Sequence, residues 1–188
     1  MATHRIPILG WGTVPDTSGN VFFEPYNVKA TNDVWDRLVL VFNDTATRIG
    51  CAGGFTVPKN YVGSAKLAVV WTTTATTGDV EWDMDYRAVG GDDTESLDQA
   101  GTQESVNLND TAPSAANERM ETLITLSAGN FAVDDEVEFE LFRDGTDASN
   151  TLAGNVLVTG VWFEFDDGGF TGATGVQGAT GLGAFGTT

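Results

Sequence analysis

Histidine and cysteine each occur once, as His4 and Cys51. One cysteine excludes an intrachain disulfide, and one Cys with one His cannot complete a zinc site. A Ser–His or Cys–His hydrolytic pair would need His4 as its base, yet His4 sits in a terminal stretch where a solvated side chain is expected. Cys51, within GCAGGF, reads as a small buried thiol. Cations are scarce: 9 Lys plus Arg stand against 27 Asp plus Glu, a net charge of -18. No cationic footprint exists to displace counterions from a nucleic acid, and an anionic membrane surface would repel the chain. No apolar run approaches the ~20 residues of a membrane span. The opening MATHRIPILGWGTVPD is broken by Pro7, Gly10 and Gly12 and lacks the apolar core of a signal peptide, so synthesis in the cytoplasm is expected. Helical periodicity is missing as well; APSAANERMET has room for one helical turn.

What remains is strand. DVEWDMDYRAV (79–89) alternates, with Val80, Trp82, Met84 and Tyr86 pointing one way. Glu81, Asp83, Asp85 and Arg87 point the other way, predicting a half-buried strand with a wet, acidic outer face. EVEFELF (136–142) repeats the pattern, with Val137, Phe139 and Leu141 inward and Glu136, Glu138 and Glu140 outward. LVLVF (38–42), LAVVW (67–71), METLITL (120–126) and VLVTGVWFEF (156–165) are further strands, the last with Gly160 as a bulge. SVNL (105–108) and RIGCAGGFTV (48–57) give less regular strand signals. Gly/Asp/Asn/Ser turns separate them. The expected fold is all-β: an antiparallel β-sandwich of the jelly-roll kind over residues 31–167.

Residues 1–30 alternate little and are rich in Pro, Gly and aromatics, predicting an extended N-terminal arm. Residues 1–66 carry six basic and five acidic side chains, the rest of the chain three and twenty-two. The near-neutral arm, with Trp11, Phe22, Phe23 and Tyr26, is therefore the expected partner-binding element, because the acidic remainder repels other acidic surfaces.

The C-terminal stretch 168–188 has glycine at Gly169, Gly172, Gly175, Gly178 and Gly181. Only glycine fits at the axis of a collagen triple helix, so glycine at every third position predicts a collagen-like tail and, through it, a homotrimer. A loose linker is also glycine-rich; the in-phase register is what separates the two.

Candidate chemistry is sparse. Asp83, Asp85, Glu81, Glu138 and Glu140 supply carboxylates, but on alternating outward positions they read as a solvated face rather than a glycosidase pair. Catalysis and cofactors are not expected. Asp144, Asp147 and Asn150 in DGTDASN, and Asp92, Asp93 and Glu95 in GGDDTE, are candidate calcium ligands at loop tips, although such residues also make ordinary turns.

The block WTTTATTGDVEWDMDYRAVGGDDTESLDQ, then Asp135 to Phe142, Arg143-Asp144-Gly145 and Val156 to Phe165, resembles the small β-sandwich structural proteins of tailed bacteriophage virions, some with short GATG-type collagen runs. That resemblance implies a trimeric jelly roll on the virion surface. The leading expectation is a capsid decoration (cement) protein clamping the major capsid protein. The alternative is a tail-fibre or head-fibre module binding a host surface glycan, for which loop aromatics such as Trp11 and Tyr61 would line the sugar groove. A bacterial extracellular matrix or surface protein of collagen-plus-jelly-roll type is the second alternative.

Overall fold

The computed structural model describes residues 2–8, 12–14, 25–29, 36–90 and 101–168, with the backbone alone for 12–14, 25–29, 36 and 37. Eleven strands lie within them: β1 (Thr3–Pro7), β2 (Gly12–Val14), β3 (Pro25–Lys29), β4 (Asp36–Phe42), β5 (Arg48–Thr56), β6 (Tyr61–Thr72), β7 (Asp79–Val89), β8 (Glu104–Thr111), β9 (Met120–Thr125), β10 (Glu136–Asp144) and β11 (Val156–Asp167). The one helical element among the described residues is a 3-10 turn at Ala128–Asn130.

The strands form two antiparallel sheets. One runs β3-β4-β11-β6-β9, with β1 also pairing β11; the other runs β2-β5-β10-β7-β8. The chain is therefore an antiparallel β-sandwich. Along β4 to β11 the path changes sheet at every connection except the β7–β8 hairpin. Each strand expected from the sequence corresponds to an observed one, and the register of β11 against β6 shifts between Val158 and Gly160, where the bulge was expected. A Cβ on Gly160 would stand 2.3 Å from the Trp162 ring, so the bulge also makes room for that indole.

Where residues 1–30 are described, they lie on the sandwich as strands. β1 pairs β11 from Thr3↔Asp166 to Pro7↔Trp162, β2 pairs β5, and β3 pairs β4. Backbone pairing of this kind needs no side-chain alternation, which is why it left no signature in the sequence. Trp11, Phe22 and Phe23 lie outside the described residues, as do the tail glycines Gly169 to Gly181; of Tyr26 only the backbone in β3 is described.

The core lies between the sheets, and its inward set is the predicted one. Val80, Trp82, Met84, Tyr86, Val137, Phe139 and Leu141 are all buried. Towards one end Trp82 meets Phe42 and Trp71 edge-on, with ring centroids 5.4 and 6.2 Å apart. Towards the other end Tyr86 stacks on Phe131 at 5.1 Å, and Phe163 stacks on Phe55 at 4.4 Å.

Polar bonds fasten the rims. Where β8 faces β9, Glu104 accepts hydrogen bonds from Tyr86 Oη and from Ser127 N and Oγ, and Asp110 accepts one from Thr122. Burial opposes the charge of Glu104, but the bonds from Tyr86 and Ser127 together outweigh it and hold the carboxyl below its usual range. On the outer face of the six-stranded sheet, Arg5 of β1 bonds Glu164 of β11 (2.8 Å) and Glu121 of β9 (2.6 Å). Lys66 adds a 3.0 Å bond to Glu164, and Arg119 a 2.6 Å bond to Glu121.

At the Trp82 end, Arg143 is 1% exposed. Its Nε donates to Asn150 Oδ1 at 3.1 Å, its Nη2 to Leu152 O at 2.7 Å, and its Nη1 to Gly154 O at 2.7 Å. Longer bonds reach Phe42 O and Asn43 O. Burial lowers its pKa, and Asp44 at 3.5 Å opposes that shift.

Two outcomes follow from these contacts. Arg143→Leu leaves several buried carbonyls without donors and should destabilise the fold by about 3–5 kcal/mol in urea unfolding. Glu121 is held down to about 2, chiefly by its hydrogen bonds to Arg5 and Arg119. A carboxyl depressed on folding stabilises above its unfolded pKa and loses that contribution as pH falls through the folded one. The stability gap between the wild type and Arg5→Ala should therefore be full above about pH 4.5 and shrink as the pH approaches 2.

Candidate functional site

The outer face of the five-stranded sheet carries rows set by register. Gly50, Phe142, Asp83 and Asn107 lie side by side across β5, β10, β7 and β8. Ala52, Glu140, Asp85 and Ser105 form the next row, and Gly54, Glu138 and Arg87 the one after. The sequence places Asp83, Asp85, Arg87, Glu138 and Glu140 on this side, yet the face is not uniformly wet.

Its half nearer Arg143 is closed. Phe142 lies over Gly50, where a Cβ would come within 2.3 Å of the ring, and the Arg48 guanidinium covers the ring at 3.5 Å. Arg48 also reaches Asp83 at 3.0 Å and Asp85 at 2.9 Å. Burial raises the Asp83 pKa; Arg48 counters this, while Asp144 and Glu81 add to it. Glu81, expected in solvent, is only 4% exposed. Its carboxylate accepts a bond from Asn109 Nδ2 at 2.9 Å, and the same amide donates to Ser149 O, so the 145–150 loop comes over this corner. Alternation told on which side Glu81 lies but not what covers it.

The other half is open among the described residues. A groove of about 740 Å³ runs over Ala52, Gly54 and Thr56 of β5, flanked by Glu136, Glu138 and Glu140 of β10. Asp85, Arg87 and Thr102 complete its polar lining. β5 presents nothing larger than threonine here, so the strand forms a low floor beside a row of carboxylates. Arg87 pairs with Glu138 at 2.9 Å. Glu136 and Glu140 are exposed and form no ion pair among the described residues. The glycines of GCAGGF were the available signal for this floor, but they read as a strand irregularity because their partner β10 is more than eighty residues away.

Other candidates have structural roles. Tyr61, proposed as a groove aromatic, is buried, with its hydroxyl donating to Ala128 O at 2.9 Å. Cys51 is buried, and burial pushes its thiol pKa up, as expected for an inert thiol. His4 is half exposed and lies 2.8 Å from Asp167. The calcium candidates do not converge. Asp144 accepts bonds from Thr146, Asp147 from Ser149 N, and Asn150 from Arg143. Among the described residues no group of three or more His, Cys, Asp or Glu is placed to hold a metal. Asp92, Asp93 and Glu95 lie outside them.

Gly50→Ala should cost about 1–3 kcal/mol by forcing Phe142 from its seat, and should loosen Arg48 with it. Gly129→Ala, where a Cβ meets nothing within 4 Å, should cost far less. Thermal melts of the two variants make the comparison.

No family model and no curated relative matches the chain. Several solved structures are similar in fold. A carbohydrate-binding module specific for non-crystalline cellulose (CBM28) aligns with a TM-score of 0.51 and 16% identity, over 82% of this chain and 86% of that one. The K1 cleaved adhesin domain of Lys-gingipain from Porphyromonas gingivalis W83 aligns at 0.48 and 13%, over 88% and 99%. TmCBM61, solved with β-1,4-galactotriose, aligns at 0.45 and 11%, over 86% and 91%. At 16% identity the CBM28 likeness is one of fold, and the chain shares the β-sandwich.

Proposed function

We propose that this protein is a non-catalytic glycan-binding module built on a jelly roll, with the open groove of the five-stranded sheet as its binding surface. Among the roles expected from sequence this is the fibre-type alternative, not capsid decoration. The decoration reading rests on arm aromatics whose side chains are not among those described, whereas the groove is formed by described ones.

The groove itself carries the reading. It lies open across β5, β10 and β7, and has a floor kept low by Ala52, Gly54 and Thr56. Such a shape suits a stretch of polymer rather than an enclosed small molecule. Its lining offers carboxylate acceptors from Asp85, Glu136, Glu138 and Glu140, guanidinium donors from Arg87, and hydroxyls from Thr56 and Thr102. That set matches a polyhydroxylated chain, whose hydroxyls donate to carboxylates and accept from arginine. The outward side chains of the described groove rows are polar or small, so the contacts they offer are hydrogen bonds. The excess of carboxylates selects uncharged sugars over uronic acids or sulfated chains, which the same groups repel. The CBM28 fold likeness supports a carbohydrate-binding sandwich as the type of protein; the ligand is argued from the lining.

Glycan array screening followed by calorimetry tests the reading. Binding is expected for at least one neutral polysaccharide and not for polygalacturonate. Glu140→Ala should lower the affinity about tenfold, the worth of one hydrogen bond to a charged group, with an unchanged melting temperature. Ala52→Trp should fill the floor and abolish binding. Retention of no glycan by the folded wild type, or full binding by Ala52→Trp, would overturn the assignment.

A further inference from the structure

We propose that the end of the sandwich at which β11 leads into the glycine-triplet segment is a self-association surface, centred on Val62 and Val133, on which two further copies of this chain dock to form a trimer. This is independent of the glycan reading.

Four large hydrophobic side chains are exposed among the described residues: Leu38, Val62, Val133 and Leu123. Val62, at 53%, and Val133, at 42%, belong to the same end. There Asp134 N donates to Val57 O at 3.1 Å, and Val57 N to Asp135 O at 2.8 Å, joining the 131–135 loop to the β5–β6 turn. Gly168 N donates to Asn60 O at 3.2 Å, and a Cβ on Gly168 would stand 3.2 Å from Val62 Cγ1. Val62 therefore lies against the last described residue of the chain.

The support beneath the two valines is firm. Tyr61 meets Phe131 edge-on at 6.3 Å, and both rings are buried. Gly63 follows Val62 with φ +151, and a Cβ there would meet nothing within 4 Å, which leaves a partner room for close approach. The charges around the patch have partners within the chain. Lys59 is 3.8 Å from Asp134, Asp166 accepts from Thr3 and Ser64, and Asp167 lies 2.8 Å from His4.

The sequence beyond Gly168 supplies the occupant. Glycine at 169, 172, 175, 178 and 181 is the pattern of a helix that requires three chains around one axis. Such an axis would begin one residue past Gly168, and successive Cα atoms are about 3.8 Å apart. Three copies joined there must present their Val62 ends to one another. Five triplets bury little and need help from the folded part. With a net charge of -18 per chain, that help has to come from apolar contact, since most of the remaining surface repels its own kind. A threefold rotation closes such a contact into a ring and leaves no free end.

Light scattering on the full chain at tens of micromolar is expected to give three times the 19.9 kDa chain mass. Val62→Glu/Val133→Glu should bring the mass down threefold, while Leu123→Glu, away from this end, should leave the trimer intact. Val62→Cys covers the case in which the double variant does not fold. Under mild oxidation it should form a disulfide-linked pair of chains, since Cys51 is buried, and Leu38→Cys should not. A wild-type mass of one chain, a trimer indifferent to a folded double variant, or equal cross-linking at positions 62 and 38 would each overturn the proposal.

Discussion

The Arg143 guanidinium is the contact on which one whole end of the sandwich depends. It is a cation with 1% of its side chain exposed and, among the described residues, its carboxylate partner Asp44 at 3.5 Å. Carbonyl dipoles of Leu152 and Gly154 and the Asn150 side chain take its donors, with Phe42 and Asn43 at longer range. These groups belong to the exit of β4 and to the long connection between β10 and β11, so one planar fork ties the two sheets together. The connection it holds also brings Ser149 and Asn150 over Glu81, which closes that corner of the outer face. The closed half and the open half of the sheet are thus both consequences of where this loop is held.

The open half owes its shape to what β5 lacks. Gly50 admits the Phe142 ring, and that ring seats Arg48, which draws in Asp83 and Asp85. Two residues further on, Ala52 and then Gly54 and Thr56 leave the strand bare, and the glutamates of β10 rise beside it. One face is thereby divided into a neutralised, covered region and an acidic, accessible one without any change in strand pairing.

The strands and the inward residues were legible because alternation is a local property: Val80, Trp82, Met84 and Tyr86 need only their own neighbours in sequence to declare a buried side. What lies above the outer side is not local. Glu81 and Asp83 share a pattern with Glu138, yet Glu81 is covered by a loop some seventy residues away and Glu138 borders solvent. Tyr61 reads as a loop aromatic because nothing nearby reveals Phe131 and Ala128 waiting for it. β1 was hidden for a different reason. Its side chains are mostly exposed, so it shows no hydrophobic rhythm, and its place in the sheet rests on backbone pairing and on Arg5 reaching two glutamates. The glycines of β5 were visible but could be interpreted only once β10 was known to lie beside them.

β11 is flanked along its length, by β6 on one side and by β4 and then β1 on the other, and it is the strand that leads into the glycine triplets. Antiparallel ladder bonds stand perpendicular to their strands. A pull transmitted through the tail therefore runs along β11 and strains its bonds on both flanks in parallel, as in a lap joint, rather than opening them singly like a zipper. Because β1 begins beside the point where β11 ends, a pull between the two termini would instead peel β1 away from Thr3 onward. The two loading directions thus meet the same ladder in shear in one case and in peeling in the other.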